Sequence, residues 1–438
     1  MMDAPLDAGS ALRPTGVRRF GRAERRTIGV AALALVPFIA VRFLGVGRGA
    51  PVVAAAGIGM AIVAAAFFLT WATEALAVVI AAPVALAILA LVEVAPEYAF
   101  EILLAYRQQV ALAAASMTGA NRLLLGLGWP LILFLAFWGA RRRGQRLSEL
   151  RLDARHAVTI AYLAAASVCA FVIVLKRSLS LLDSAVLVVI DGLYIYTGLR
   201  THKLEGDVAE LEEDNVGVGA ATKALAPRRR GLAIAAFLAA GAFVLLLGAE
   251  PFMDSLLETA RHAGVSEFAL IQWVAPFLSE FPESLTAFFW ATTVVQAPLG
   301  LGNLLSSKLN EWTLLIAAIP IAYSVGAGHT AALALTSQSV DEIFLTAAQS
   351  LFGTVVLLRL RFHLRDAILL TSLFLVQFAI PIERVHIVIA WIYLGLAAGY
   401  AAVYRHEIVA ADVLGNLRTV HLVRRLRRRN GASSDAPR

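Results

Sequence analysis

Apolar residues are gathered into long stretches at about 27–47, 51–73, 83–108, 110–138, 154–175, 179–199, 231–249, 266–294, 298–324, 341–360, 366–382 and 385–405. Most reach or exceed the roughly 18 residues that read as a membrane-crossing helix. The pattern predicts an all-α polytopic membrane protein of about twelve transmembrane helices. Between the sixth and seventh stretches, residues 200–230 form the long polar break, with Glu205, Asp207, Glu210, Glu212, Glu213 and Asp214 followed by Arg228, Arg229 and Arg230. It reads as a solvated linker with room for one short helix.

Two apolar stretches carry polar residues where hydrocarbon would disfavour them. One contains Ser279-Glu280-Phe281-Pro282-Glu283-Ser284, and the other contains Glu93-Val94-Ala95-Pro96-Glu97. Each is followed by a second apolar stretch with polar interruptions, Gly302-Asn303 through Asn310 and Ser116 through Asn121 respectively. Proline cannot donate to the carbonyl four residues back, so Pro282 leaves Leu278 with a bare carbonyl and predicts a kink there. A free carbonyl beside carboxylates offers the oxygen ligands that a hard cation takes. Ionisable groups within a membrane helix point to function.

Composition agrees with the membrane reading: 59% of residues are hydrophobic and only 16% charged. The net charge of +7 is concentrated in arginine clusters between and beyond the apolar stretches, where it acts as a topology signal rather than a nucleic-acid surface. With the basic arm 1–26 inside, Arg141-Arg142-Arg143, the 200–230 linker, the Arg359/Arg361/Arg365 turn and the tail 406–438 all become cytoplasmic. The stretch 27–47 is of full spanning length and ends in no cleavage site, so it is expected to be retained. Arg424 to Arg429 in the tail are expected to meet anionic lipid head groups. A single cysteine, Cys169, leaves neither a disulfide framework nor a cysteine metal site.

Under this topology the Pro96 helix runs outward and the Pro282 helix inward, so the two interrupted units form inverted repeats. That arrangement points to a midplane substrate site in a secondary transporter. Glu93 and Glu97 are four residues apart and share a helix face that Glu101 continues; Glu280 and Glu283 are neighbours at a spacing of three. Carboxylates buried together require cations or protons. Ser279, Asn303 and Ser307 flank the acids and are expected to add neutral oxygens. Asp183 and Asp191 lie on one helix face and are read either as a proton path or as partners of nearby cations. Glu74 is placed at an inner helix end, and His329, His363 and His386 at membrane interfaces.

These motifs resemble the paired alpha-repeats of the sodium/calcium exchanger family, within the calcium:cation antiporter superfamily. In that family each repeat has a Gly-Thr-Ser-x-Pro-Glu helix followed by a Gly-Asn-x-x-Gly-Ser-Asn helix, whose glutamates and neighbouring polar residues coordinate the ions. Val92 to Glu97 stands at the first motif, and Asn121 at the last asparagine of its partner; Leu278 to Glu283 and Gly302 to Lys308 fill the second repeat. Glu93 replaces a Thr, Glu280 a Ser, Ser116 the inner Asn, and Lys308 the last Asn of the second repeat. The resemblance implies exchanger halves at 51–199 and 231–382, with repeats at about 83–138 and 266–324, and added helices at 27–47 and 385–405. The implied ligands are Glu97, Glu283, Glu93, Glu280, Asn121, Ser279, Asn303 and Ser307. Lys308 is expected either to stand in as a tethered cation, to exchange a proton, or to pair with Glu280.

The expected function is secondary antiport of Ca2+ or another cation against Na+ or H+ by alternating access. The alternatives are a Na+/H+ antiporter without Ca2+ transport and a non-transporting membrane sensor. No HExxH, GxSxG or phosphate loop suggests an enzyme, and no cofactor is expected. The expected partners are small inorganic cations and the lipid bilayer, without nucleic acid, and the oligomeric state is left open, a monomer included. Abundant Ala, Leu and Arg suggest a bacterial source and a multi-pass protein of the cytoplasmic membrane with both termini inside.

Overall fold

A computed structural model describes residues 20–47, 49–76, 94–153, 156–205, 217–292 and 294–407; for residues 199–205, 282, 283, 286 and 289 only the backbone is described. Residues 1–19 of the arm, 77–93 including Glu93, 206–216 of the linker and 408–438 of the tail lie outside the described residues.

The first apolar stretch is a pair of helices, α1 (Arg22–Leu33) and α2 (Leu35–Leu44), separated at Ala34. Then come α3 (Pro51–Leu76), α4 (Ala95–Tyr106) and α5 (Val110–Leu123), which passes through a π-helical segment, Leu124–Gly128, into α6 (Trp129–Arg142). The first half closes with α7 (His156–Lys176) and α8 (Leu181–Glu205). A short helix, α9 (Val218–Lys223), lies within the linker. The second half contains α10 (Pro227–Ala263), α11 (Glu267–Thr292), and α12 (Ala297–Asn310), which passes through a second π segment, Glu311–Leu315, into α13 (Ile316–Ala327). It ends with α14 (Ser337–Leu357), α15 (Leu364–Ala379) and α16 (Glu383–Val403).

Among the described residues nine helical spans are long and apolar enough to cross a membrane, counting α1–α2, α5–α6 and α12–α13 as continuous spans. The remaining three expected stretches are occupied by α4, α11 and α15. The helix α11 is long but carries Glu267, Gln272, Ser279, Glu280 and Glu283, and these polar residues lower its hydropathy. It continues as helix through Pro282, so the expected kink does not break it.

Two small antiparallel ladders fasten the halves together. Residues Glu149–Arg151 (β1) pair with Arg361–His363 (β4), and Ser178–Leu179 (β2) with Leu333–Ala334 (β3). The first ladder precedes α7 and follows α14; the second follows α7 and precedes α14. These packed helices therefore run antiparallel, with one ladder at each end. A large apolar core joins α5–α8 to α12–α16, while α3 and α10 pack on one another beside it with α2, α4 and α11.

Helices α5 and α11 cross at Gly119. A Cβ there would lie 1.7 Å from the Gln272 carbonyl oxygen, so only glycine permits this close backbone approach. It brings the second helix of the first unit against the first helix of the second.

Candidate functional site

The site is assembled where α4, α5, α8, α11 and α12 meet. Glu97 sits in the first turn of α4, just after Pro96, and is buried; Glu101, one turn on, is fully buried. Glu280 and Ser279 are buried on α11, and Ser307 and Lys308 on α12. Glu311 opens the second π segment and is also buried, as is Asp191 on α8. Both π segments are five residues long, and Asn121 and Lys308 each stand three residues ahead of one. A π bulge shifts the side-chain register of a helix, a device frequent at functional sites.

Electrostatic neighbourhoods join these groups into one cluster. Glu101 faces Glu311 and Glu97, with Ser116 beside it. Tyr98 lies within the field of Asp191, Glu101, Glu97 and Glu311. Lys308 has Glu311 and Glu280 as its acidic neighbours. Its ammonium donates to the carbonyl oxygen of Asn121 at 3.2 Å and to the Asn121 side-chain oxygen, and it sits 4.6 Å from the centre of the Trp312 ring. Thr313, within the π segment, donates to Asp191 at 3.0 Å. The described part of the cluster thus joins the carboxyl groups of Glu97, Glu101, Glu280, Glu311 and Asp191, with the ammonium of Lys308 beside Glu311 and Glu280. Such a set cannot remain fully ionised in a low-dielectric interior; protons or bound cations must neutralise it.

The expected ligands fall into three groups. Glu97 and Glu280 are buried at the cluster, and Glu283 is on α11, where only its backbone is described. Asn121 is present, but its side-chain oxygen accepts from Lys308 and its amide donates to Met117. The Ser279 hydroxyl donates to the carbonyls of Ala275 and Pro276, both at 3.1 Å, and retains its lone pairs as acceptors. Asn303 is half-buried one turn before the buried Ser307. Among the described residues no group of three or more acidic, histidine or cysteine side chains is arranged to hold a metal.

Asp183 and Asp191 have different fates. Asp183 pairs with Lys176 near a helix end, whereas Asp191 turns into the cluster. The helical spacing of eight placed them on one face; packing against the second π segment selected one of them.

A second buried polar network was not legible from the motifs. Arg122, directly after Asn121, forms an ion pair with Glu342 of α14 at 2.6 Å, with side-chain exposures of 0% and 5%. Gln272 donates to Glu342 at 3.1 Å, and the Arg122 guanidinium lies 5.0 Å from the Trp273 ring centre. The expectation that His386 is an interface histidine is corrected here. His386 is buried, with Nδ1 2.9 Å from Glu342 and Nε2 3.0 Å from the Gln377 carbonyl. Both ring nitrogens therefore lie within hydrogen-bond reach of an oxygen, which fixes the ring between α14 and α15. The signal available in sequence was Arg122 within an apolar helix; Glu342 and His386 stand near the starts of α14 and α16 beside other charged residues, and nothing in the spacing pairs them. At the first ladder His363 is likewise engaged, 2.9 Å from Glu149 across the strand pair, while His329 is exposed.

The comparisons agree with this architecture. The model of the sodium/calcium exchanger protein family matches residues 50–199 and 233–383. A solved H+/Ca2+ exchanger, CAX, is 34% identical, with a TM-score of 0.82 over 91% of this chain and 99% of its own. The Ca2+/H+ antiporter protein YfkE (15% identity, TM-score 0.55, 84% of this chain and 99% of its own) and the sodium-calcium exchanger NCX_Mj (16%, 0.50, 75% and 98%) share the fold. No curated protein matches the chain in sequence. Two matched halves covering more than half of the residues, together with a full-length relative at this identity, place the chain in the sodium/calcium exchanger family of cation antiporters.

Proposed function

We propose that this antiporter exchanges Ca2+ for protons by alternating access. The observation that carries the proposal is the excess of buried carboxyl groups over ammonium around Lys308. When a divalent cation enters, carboxyl groups that it neutralises must release their protons; when it leaves, they must take protons back. Competition for the same oxygens couples the two fluxes without a second, dedicated site. The 34%-identical relative is itself an H+/Ca2+ exchanger, which supports the same coupling.

In this reading Glu97 and Glu283 are the principal ligands, Glu93 and Glu280 accessory ligands or proton acceptors, and Ser279, Asn303 and Ser307 neutral oxygens. Lys308 is the resident cation. It occupies Asn121 while the site is empty of metal and withdraws as Ca2+ arrives. The two interrupted units act as inverted repeats about a midplane site, with both termini in the cytoplasm.

A second reading is Na+/H+ exchange without Ca2+, supported by the Lys308 contact with the Asn121 oxygen, which in the family serves an ion. Uptake of 45Ca2+ into proteoliposomes, with outward H+ or Na+ gradients imposed and the membrane potential clamped, separates the readings. Uptake driven by the proton gradient is expected. Uptake that follows only the Na+ gradient would overturn the proton assignment, and no uptake under either gradient would favour Na+/H+ exchange.

A further inference from the structure

Away from the acids, the flank formed by α1 and α3 contains a cavity of about 360 Å3. Its wall is apolar along Val30, Ala31, Met60 and Ala64, and it meets Trp71 and Arg26. The spans 22–44 and 51–76 are joined by a short connection, so Arg26 and Trp71 share one end of the groove and Met60 lies toward the other. From Met60 to Trp71 the helix rises about 16 Å at ~1.5 Å per residue, roughly half of a ~30 Å hydrocarbon core. The groove is open on its outer side, where Val30 is 62% and Met60 50% exposed.

Charge is concentrated at one end of this otherwise apolar channel. Arg22, Arg25 and Arg26 are exposed on the first turns of α1, and Arg228 and Arg229 are exposed at the start of α10, beside α9, which packs on α1 and α3. A tryptophan and a run of arginines at one depth mark the level of lipid head groups. An apolar channel one leaflet long, capped by cations, is complementary to an amphiphile with a negative head.

We propose that this groove binds an anionic phospholipid, with one acyl chain along α1 and α3 and its phosphate at Arg26. Small side chains at Ala31 and Ala64 make room for the chain, and Arg22 and Arg25 extend the positive mouth. A zwitterionic phospholipid brings the same phosphate, but its own ammonium is repelled by the arginines at the mouth and offsets part of the gain.

The test is native mass spectrometry of the full chain after equilibration with an equimolar mixture of phosphatidylglycerol and phosphatidylcholine. One cation near an anionic surface contributes about 1 kcal/mol, about a fivefold preference. The wild type should retain phosphatidylglycerol by at least that factor. Arg26→Gln should bring the two lipids toward parity, and Val30→Trp, which fills the groove from its exposed side, should lose the retained lipid of either kind. Equal retention by the wild type, an unchanged preference in Arg26→Gln, or undiminished lipid in a folded Val30→Trp would each overturn the proposal.

Discussion

The Arg122–Glu342–His386 network yields a quantitative test of what holds α5 against α14 and α16. Glu342 is a single carboxylate between a guanidinium at 2.6 Å and a histidine nitrogen at 2.9 Å, all three nearly solvent-free. Glu342→Gln keeps the shape but leaves the buried Arg122 guanidinium without its anion. Removing one partner of a buried ion pair costs about 3–5 kcal/mol because the other charge remains desolvated. The double variant Arg122→Met with Glu342→Leu removes both charges, leaves His386 its bond to the Gln377 carbonyl and leaves Gln272 a contact to Thr118 at 3.4 Å. It should therefore cost less than either single change, in the range of about 0–2 kcal/mol, since apolar replacement of a whole buried pair is often close to neutral. Equilibrium unfolding in mixed detergent micelles, followed by tryptophan fluorescence with Trp273 against Arg122 as a local reporter, measures the losses in Glu342→Gln, in the single variants Arg122→Met and Glu342→Leu, and in the double variant. If the single losses simply add in the double variant, or if Glu342→Gln costs less than about 1 kcal/mol, the pair is not the interlock described here.

Other outcomes follow from individual contacts. Gly119→Ala must push α11 away from α5 and should lower transport by about tenfold or more with reduced folded yield, whereas Gly192→Ala, with open space around it, should be neutral or slightly stabilising; flux per folded molecule distinguishes them. Lys308→Asn restores the family residue and should make Ca2+ uptake respond to Na+; unchanged coupling in the gradient assay would remove the lysine from the mechanism. The side-chain bond from Arg151, then the nearby His363 and Arg361, hold the Glu149 carboxyl below its ordinary value of 4.5 despite partial burial. A depressed folded value means stability that is complete above that ordinary value and is lost as pH falls toward and through the lowered one. Acid melts between about pH 5 and 3 should therefore show a slope that Glu149→Gln lacks, modest because the group is partly solvated.

Much of the architecture was legible in the chain because a bilayer imposes simple rules. Spans must be apolar and close to a fixed length, and acids within them need a reason; hence the positions of α3, α7, α10 and α14 and the selection of Glu97 and Glu280 came from pattern alone. The resemblance to the family, not spacing, singled out Lys308 at the place of an asparagine. What spacing could not supply was partnership. Lys308 does have acids near it, Glu311 and Glu280, but its ammonium also donates to Asn121, a partner supplied by the approach of α5 and α12. Asp183 and Asp191 were equivalent by periodicity, and only the approach of Thr313 distinguished them. Arg122, Glu342 and His386 are scattered across α5, α14 and α16, more than two hundred residues apart at the extremes. Desolvation requires each to find an opposite charge, but the identity of that partner depends on which helices pack together. The sequence determined which groups must be satisfied; the tertiary structure decided with whom.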